Sequence, residues 1–286
     1  MKPDLLRVIQ CKDCSGELSQ NPGQVTLACQ LCGWTIPMQG KIPLFTSPPH
    51  GLVPSEKLTR GPEIGTPWRR ANWRFLQQQV ARLNPDALIL DVGAGRGDFA
   101  DLFENRNYLA LDVYPYPEVD IVCDLTQVNP FRPGSFDAIL LLNVMEHVYD
   151  LRALLDSLAG MLKPGGVILV AIPFLVKIHQ APIDFVRYTH YALERLAEDA
   201  GLQVELLEGY YDPIFFLGEG TGNLRHAALP TMKGWRRYLA GAGIAVIEGC
   251  ANLLNRLYGA GKSLPPEKVR SSAPTGYQVV YRKGAL

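Results

Sequence analysis

Two short segments hold residue types whose spacing could do chemistry. The first is a pair of cysteine knuckles, Cys11-x-x-Cys14 and Cys29-x-x-Cys32, with 14 residues between them. Each knuckle turns two thiolates toward one point, and two knuckles set four of them in a tetrahedron around Zn2+. A unit of under about fifty residues has too little core to fold alone, so a structural metal would supply the missing stability. A redox role is the alternative, and two pairs in one small unit disfavour it. Cys123 and Cys250 read as plain buried or half-buried thiols. The second segment is Asp91-Val92-Gly93-Ala94-Gly95-Arg96-Gly97, directly after the apolar run ALILDV. Glycines at this spacing let the backbone turn sharply and let a ligand approach it closely. Asp112 closes the next apolar run, 21 residues beyond Asp91, where a carboxylate can accept both hydroxyls of a ribose.

These residues need a scaffold, and the apolar pattern predicts one. Residues 1–46 form a first small unit. Residues 47–67 are rich in Pro and Gly without a period and read as a linker. A helix is expected over 68–83. After it, strand-like runs (ALILDV, YLALDV, VDIVCDL, FDAILLLN, VILVAIP) alternate with helix-like ones (GDFADLFEN, LRALLDSLAGML). This alternation predicts an α/β, doubly wound, mostly parallel sheet with crossover helices. THYALERLAEDAG then reads as a helix, and QVELLEGYY and GYQVVYRK as closing strands.

The segment DVGAGRGDFA, with the acidic end of LALDVY, the Asp of VCDL, FDAILLLNVMEHV and LKPGGVILVAIP, resembles the class I S-adenosylmethionine-dependent methyltransferases. The likeness covers about 87–202 and is to the broad family that includes ubiquinone-biosynthesis enzymes. It implies a seven-stranded Rossmann-like sheet and S-adenosylmethionine as cofactor. It further implies that Asp91, Gly93, Gly95 and Asn143 border the methionine part. Asp112 would bind the ribose, with Val113, Asp124 and Leu125 at the adenine. A turn or helix cap is the plainer reading of Asp124. A dehydrogenase is the competing reading of the glycine motif, but G-x-G-x-x-G would put the third glycine one residue later. His147, in the Glu146-His147 pair beyond the fourth strand, is the candidate general base by place and pKa; otherwise it structures the loop. Asp184, Arg187 and Tyr188, in a segment similar to one of bacterial methyltransferases, either position an acceptor or, for Asp184 and Arg187, pair to fix the loop. Residues 5–45 resemble the small zinc-ribbon protein that activates several methyltransferases, here fused to its enzyme, which implies a stabilising or docking role.

Composition narrows the choice further. The chain has 286 residues and no net charge, which argues against a generally basic nucleic-acid binder. Residues 1–50 carry four Lys or Arg against three Asp or Glu, little electrostatic support for RNA binding by the ribbon. From Arg225 onward ten Lys or Arg stand against Glu248 and Glu267, a basic cap on an acidic body. An anionic or apolar methyl acceptor would suit such a cap. Between the last two strands lies a helical insertion at about 214–274. Its run 235–258 packs on the core, covers an apolar acceptor as a lid, or rests on a membrane surface. Three internal glycines count against a long straight helix. The N-terminus lacks a signal-peptide core, and no clean transmembrane run stands out. The expectation is therefore a cytoplasmic protein, with peripheral membrane contact in reserve. The leading reading is transfer of a methyl group to a small-molecule or lipid- or glycan-type acceptor. Its rivals are an RNA or protein methyltransferase guided by the ribbon and a non-catalytic binding module.

Overall fold

The computed structural model describes residues 2–20, 23, 25–49, 61, 62, 64–211, 220–222, 224–258, 262–264, 268 and 274–285. Most of the Pro- and Gly-rich stretch expected as a linker lies outside the described residues.

The chain opens with a short helix α1 (Pro3–Val8) and a four-stranded antiparallel sheet, β1 (Leu18–Ser19), β2 (Thr26–Cys29), β3 (Thr35–Gln39) and β4 (Ile42–Pro43). Helix α2 (Pro67–Val80) follows. Thr66 caps it by accepting from the Arg69 backbone N–H, and Pro67 occupies the first turn, where no N–H is needed. The large sheet is built from β5 (Leu88–Val92), β6 (Asn107–Asp112), β7 (Ile121–Val122), β8 (Phe136–Leu142), β9 (Leu162–Pro173), β10 (Leu202–Tyr211), β11 (Lys262–Leu264) and β12 (Gly276–Lys283). Its order is β11-β10-β12-β9-β8-β5-β6-β7. The five strands from β7 to β9 are parallel, and β12 runs antiparallel between β9 and β10. The central strands β5 and β8 are buried along nearly their whole length, as a parallel sheet covered on both faces requires.

Helix α3 (Leu151–Met161) covers one face. Asp150 caps it, and Leu151, Leu154, Leu155 and Leu158 recur at the helical period into the core. Helix α4 (His190–Asp199) is capped by Thr189 and buries Leu193 and Ala197. The sheet order reverses between β5 and β8, which opens a crevice at their carboxyl ends.

Four expectations change. The run after the glycine loop forms only a 3-10 turn, Ala100–Phe103. Gly93, Gly95 and Gly97 all hold φ between +54° and +74°, so none of them belongs to a right-handed helix. The sheet has an eighth strand, β11, because part of the insertion pairs with β10. The insertion also carries one continuous helix, α5 (Trp235–Tyr258), despite its glycines. That helix buries Ile244 and Ala251, while Leu239, Val246, Leu253 and Leu254 face solvent. Of its polar stripe Arg237 and Asn252 are exposed, and half-buried Glu248 accepts from Arg225 at 2.7 Å. Cys123 is buried as expected, and Cys250, on α5, is exposed.

The N-terminal unit shares its core with the large sheet. Leu5, Ile9, Leu27 and Ile36 belong to the same buried cluster as Leu125, Phe131 and Leu141. Backbone bonds join the two parts: Gln10 N–H to Pro130 O, Arg132 N–H to Val8 O and Phe45 N–H to Val122 O. Leu44 bridges Val122 in parallel, so the tail of the unit covers the open edge of β7.

Candidate functional site

The glycine loop leaves β5 and turns beneath β8. Gly93 sits so close to the next strand's end that a Cβ there would lie 2.4 Å from Val144 Cγ2. At Gly95 a Cβ would meet nothing within 4 Å, so this backbone faces open space where a ligand can approach. Backbone N–H groups of Gly93 and Ala94 both donate to Leu111 O at 2.9 and 3.0 Å. Those bonds bring the loop against the end of β6 and set Asp112 beside it. The Asp112 carboxylate accepts from Gly95 N–H at 2.8 Å and Tyr114 N–H at 2.9 Å. Burial raises its pKa, and these backbone donors oppose the rise. Val113 beside it is half-buried. Arg96 and Glu118 pair across the mouth of the loop at 3.1 Å.

Asp91 is buried below the loop and accepts from the Tyr108 hydroxyl at 2.6 Å. Burial pushes its carboxyl up to about 7. Asn143 ends β8 with a positive φ of 53°, a conformation few side chains tolerate. Its Oδ1 accepts from the Trp68 indole at 2.8 Å, which ties α2 to the crevice. Arg69, one residue on, donates to Asp98 O on the far side of the glycine loop.

Asp124 follows β7 and is occupied locally. Its carboxylate accepts from the Thr126 backbone N–H and hydroxyl and from Gln127 Nε2, the geometry of a turn cap. Its own N–H donates to Thr46 Oγ1 at 3.0 Å, so the N-terminal unit reaches this corner of the crevice. Leu125 is buried in the core.

The loop after β9 folds back over the end of β8. Asp184 and Arg187 bind each other through two bonds, 2.5 and 2.8 Å long, and Arg187 also donates to Val176 O, Lys177 O and Val186 O. The guanidinium holds the Asp184 carboxyl far below the usual carboxylate range. Both side chains thus hold the loop in place. Tyr188 is half-buried against the core, and burial raises its pKa. His147 Nδ1 lies 2.9 Å from Ile183 O, and its Nε2 lies 3.7 Å from Glu146 Oε1. His179 stacks edge-on against it with ring centroids 4.9 Å apart. The neighbouring Glu146 carboxylate raises the His179 imidazole above its ordinary value; burial opposes, and Asp184 adds to the rise. Trp68, Tyr108, Thr46 and His179 were not legible as site residues, because each acts through a partner distant in sequence.

Residues 68–207 match the family model described as a methyltransferase domain. This stretch, from α2 into β10, is therefore similar to methyltransferase domains. It is 33% identical over 94 residues to an uncharacterized protein of Methanocaldococcus jannaschii, covering 30% of this chain and 41% of that one. It is 30% identical over 117 residues to the ubiquinone biosynthesis O-methyltransferase of Xanthomonas campestris, covering 35% and 47%. The chain thus spans less than half the length of each of these relatives. A SAM-dependent methyltransferase from Archaeoglobus fulgidus aligns with 16% identity and a TM-score of 0.46, over 76% of this chain and 94% of that one.

In the N-terminal unit the four cysteines converge. Cys11 Sγ and Cys32 Sγ are 3.6 Å apart, and Cys14 Sγ and Cys29 Sγ are 3.5 Å apart. Tetrahedral Zn–S bonds of about 2.3 Å put sulfurs about 3.8 Å apart, so the donor set fits zinc closely. Gly16 is required beside them, since a Cβ there would lie 2.9 Å from Cys29 Sγ.

Proposed function

We propose that this protein transfers a methyl group from S-adenosylmethionine to a small-molecule or lipid- or glycan-type acceptor. The observation that carries the reading is the juxtaposition of the open Gly95 backbone with the buried Asp112 carboxylate at the switch point of a methyltransferase domain. Gly93, Gly95 and Asn143 would border the methionine part, and Asp112 the ribose. Bound there, the sulfonium supplies an already activated methyl group. The chain's own task is to orient donor and acceptor and to exclude water. The Xanthomonas relative is named for O-methylation, which favours a hydroxyl acceptor. Exposed Tyr149, Ile178 and Phe185 rim the loop above β8 and favour an acceptor with an apolar body.

The N-terminal unit, in this reading, is a zinc ribbon held by Cys11, Cys14, Cys29 and Cys32. Its role is to fix the β7 edge and the Asp124 corner rather than to recruit a nucleic acid. The exposed apolar side of α5, with Lys233, Arg236 and Arg237 at its start, supports peripheral contact with an anionic lipid surface.

Thermal unfolding with and without S-adenosylhomocysteine tests the central reading. Ligand at 100 times its Kd adds about 2.7 kcal/mol. Asp112→Asn removes an anionic acceptor at the ribose and should weaken binding at least about tenfold, ~1.4 kcal/mol. Parent protein that gains nothing at saturating ligand would leave the binding-module reading in its place.

A further inference from the structure

Glu146 is a buried carboxylate with no hydrogen bond from the described residues. Its side chain is 0% exposed, and among those residues neither oxygen has a hydrogen-bond partner. An ionised carboxylate in that state is costly, and structures keep one only where something neutralises it. Two imidazoles are aimed at it. His147 Nε2 and His179 Nε2 each lie 3.7 Å from Glu146 Oε1. That is too long for a hydrogen bond. It is close to the spacing of donors that share an ion, since bonds of about 2.0–2.1 Å at tetrahedral angles put donors about 3.3 Å apart. One donor atom from each of the three residues lies within 4.8 Å of the others.

The outer atoms of both rings are already committed. His147 Nδ1 lies 2.9 Å from Ile183 O, which can only accept, so Nδ1 carries the proton and Nε2 presents its lone pair. His179 Nδ1 lies 3.3 Å from Asp184 Oδ2, and that carboxylate is itself fixed by Arg187 and by the His179 backbone N–H. A carbonyl behind one histidine and a carboxylate behind the other is the outer arrangement that orients metal-bound imidazoles.

We infer that Glu146, His147 and His179 form a binding site for one divalent first-row metal ion, separate from the four cysteines, with its fourth position open on the histidine side. Glu146 closes the inner side, while the His147 and His179 side chains are 12% and 32% exposed. Two imidazoles and one carboxylate with an open position match Zn2+ or Mn2+ better than Ca2+ or Mg2+. Its place beyond β8 puts that open position where the acceptor would lie. On the proposed methyltransferase reading, an acceptor hydroxyl bound there would lose its proton to bulk water and present the resulting oxyanion for methylation.

The test uses the full chain with its cysteine site first filled by one equivalent of Zn2+, which the four thiolates take ahead of a nitrogen and oxygen site, then titrated with Co2+. Thiolates hold zinc over cobalt, so added Co2+ reports only nitrogen and oxygen sites. The expected result is weak visible d–d absorption that saturates at one equivalent without an intense near-ultraviolet thiolate band. His179→Ala and Glu146→Gln should abolish it. Asp184→Asn should weaken binding by about 10–100-fold, the usual loss when an outer partner of a metal-bound histidine is removed. Exposed His226→Ala should leave it unchanged. S-Adenosylhomocysteine binding, measured on the same samples, reports whether each variant is folded and tests the cofactor reading separately. Absence of a saturable cobalt spectrum in the parent protein overturns the site, whatever the variants do. So does a spectrum that persists in folded His179→Ala or Glu146→Gln.

Discussion

Replacing Gly93 by alanine isolates the close approach on which the cofactor loop depends. The new Cβ would lie 2.4 Å from Val144 Cγ2, at a residue whose φ is +73°. Two costs follow. Holding an L-residue in the left-handed region costs about 1–2 kcal/mol. Forcing a methyl into a filled space costs about 1–3 kcal/mol. A stiffer unfolded chain offsets about 0.4–1 kcal/mol of this. The net expectation is a loss of about 1–5 kcal/mol. Only the crowding depends on Val144, so Val144→Ala in the same chain should recover about 1–3 kcal/mol and leave the backbone strain in place. Urea unfolding of the parent, both single variants and the double variant gives the coupling directly. The reasoning is refuted if Gly93→Ala stays within about 0.5 kcal/mol of the parent, the range of an ordinary surface change. Additive single effects would refute it too.

Asp91 predicts a pH dependence. Burial raises its carboxyl from 3.8 to about 7, so over that interval the folded state keeps a proton that the unfolded state has released. Its contribution to stability is present below about pH 4, falls by about 1.4 kcal/mol per pH unit and is lost above about pH 7. Asp91→Asn keeps an acceptor for the Tyr108 hydroxyl and removes the titration. The stability gap between variant and parent should therefore grow in the variant's favour from pH 4 to 7; a gap constant with pH contradicts the assignment. Chelation under reducing conditions should strip metal from the four cysteines and lower the unfolding midpoint of the whole chain, because Leu5, Ile9, Leu27 and Ile36 lie in the common core. A metal-free protein with an unchanged midpoint would sink that account. Sedimentation with phosphatidylglycerol vesicles should capture the protein through α5, and replacing Arg236 and Arg237 by glutamine should weaken capture by about 2 kcal/mol, about thirtyfold. Equal capture by neutral vesicles, or no capture, counts against lipid contact.

The central strands and their parallel sheet were legible because each strand is a continuous apolar run between turn residues, and the buried β5 and β8 need that composition. Cys11, Cys14, Cys29 and Cys32 were legible for a related reason: knuckle spacing is local, and 3.5–3.6 Å sulfur separations follow once the two knuckles meet. Asp112 was legible from its distance along the chain to the glycine loop. The helix after that loop was misread, since the run forms only the 3-10 turn Ala100–Phe103.

Other features depended on approach in space. Asp184 and Arg187 stand three residues apart, yet only the folded loop decides that they bind each other rather than an acceptor. The inner face of α5 was also undecided by its pattern, because both an apolar and a polar stripe run along it. Sequence alone set the elements and the local ligand spacing, since hydrophobic period and turn chemistry act over a few residues. Tertiary structure alone decided that Glu146 and His179, 33 residues apart, meet in one buried site, because only packing of the loop after β9 onto the end of β8 removes water from the carboxylate and turns both imidazoles toward it.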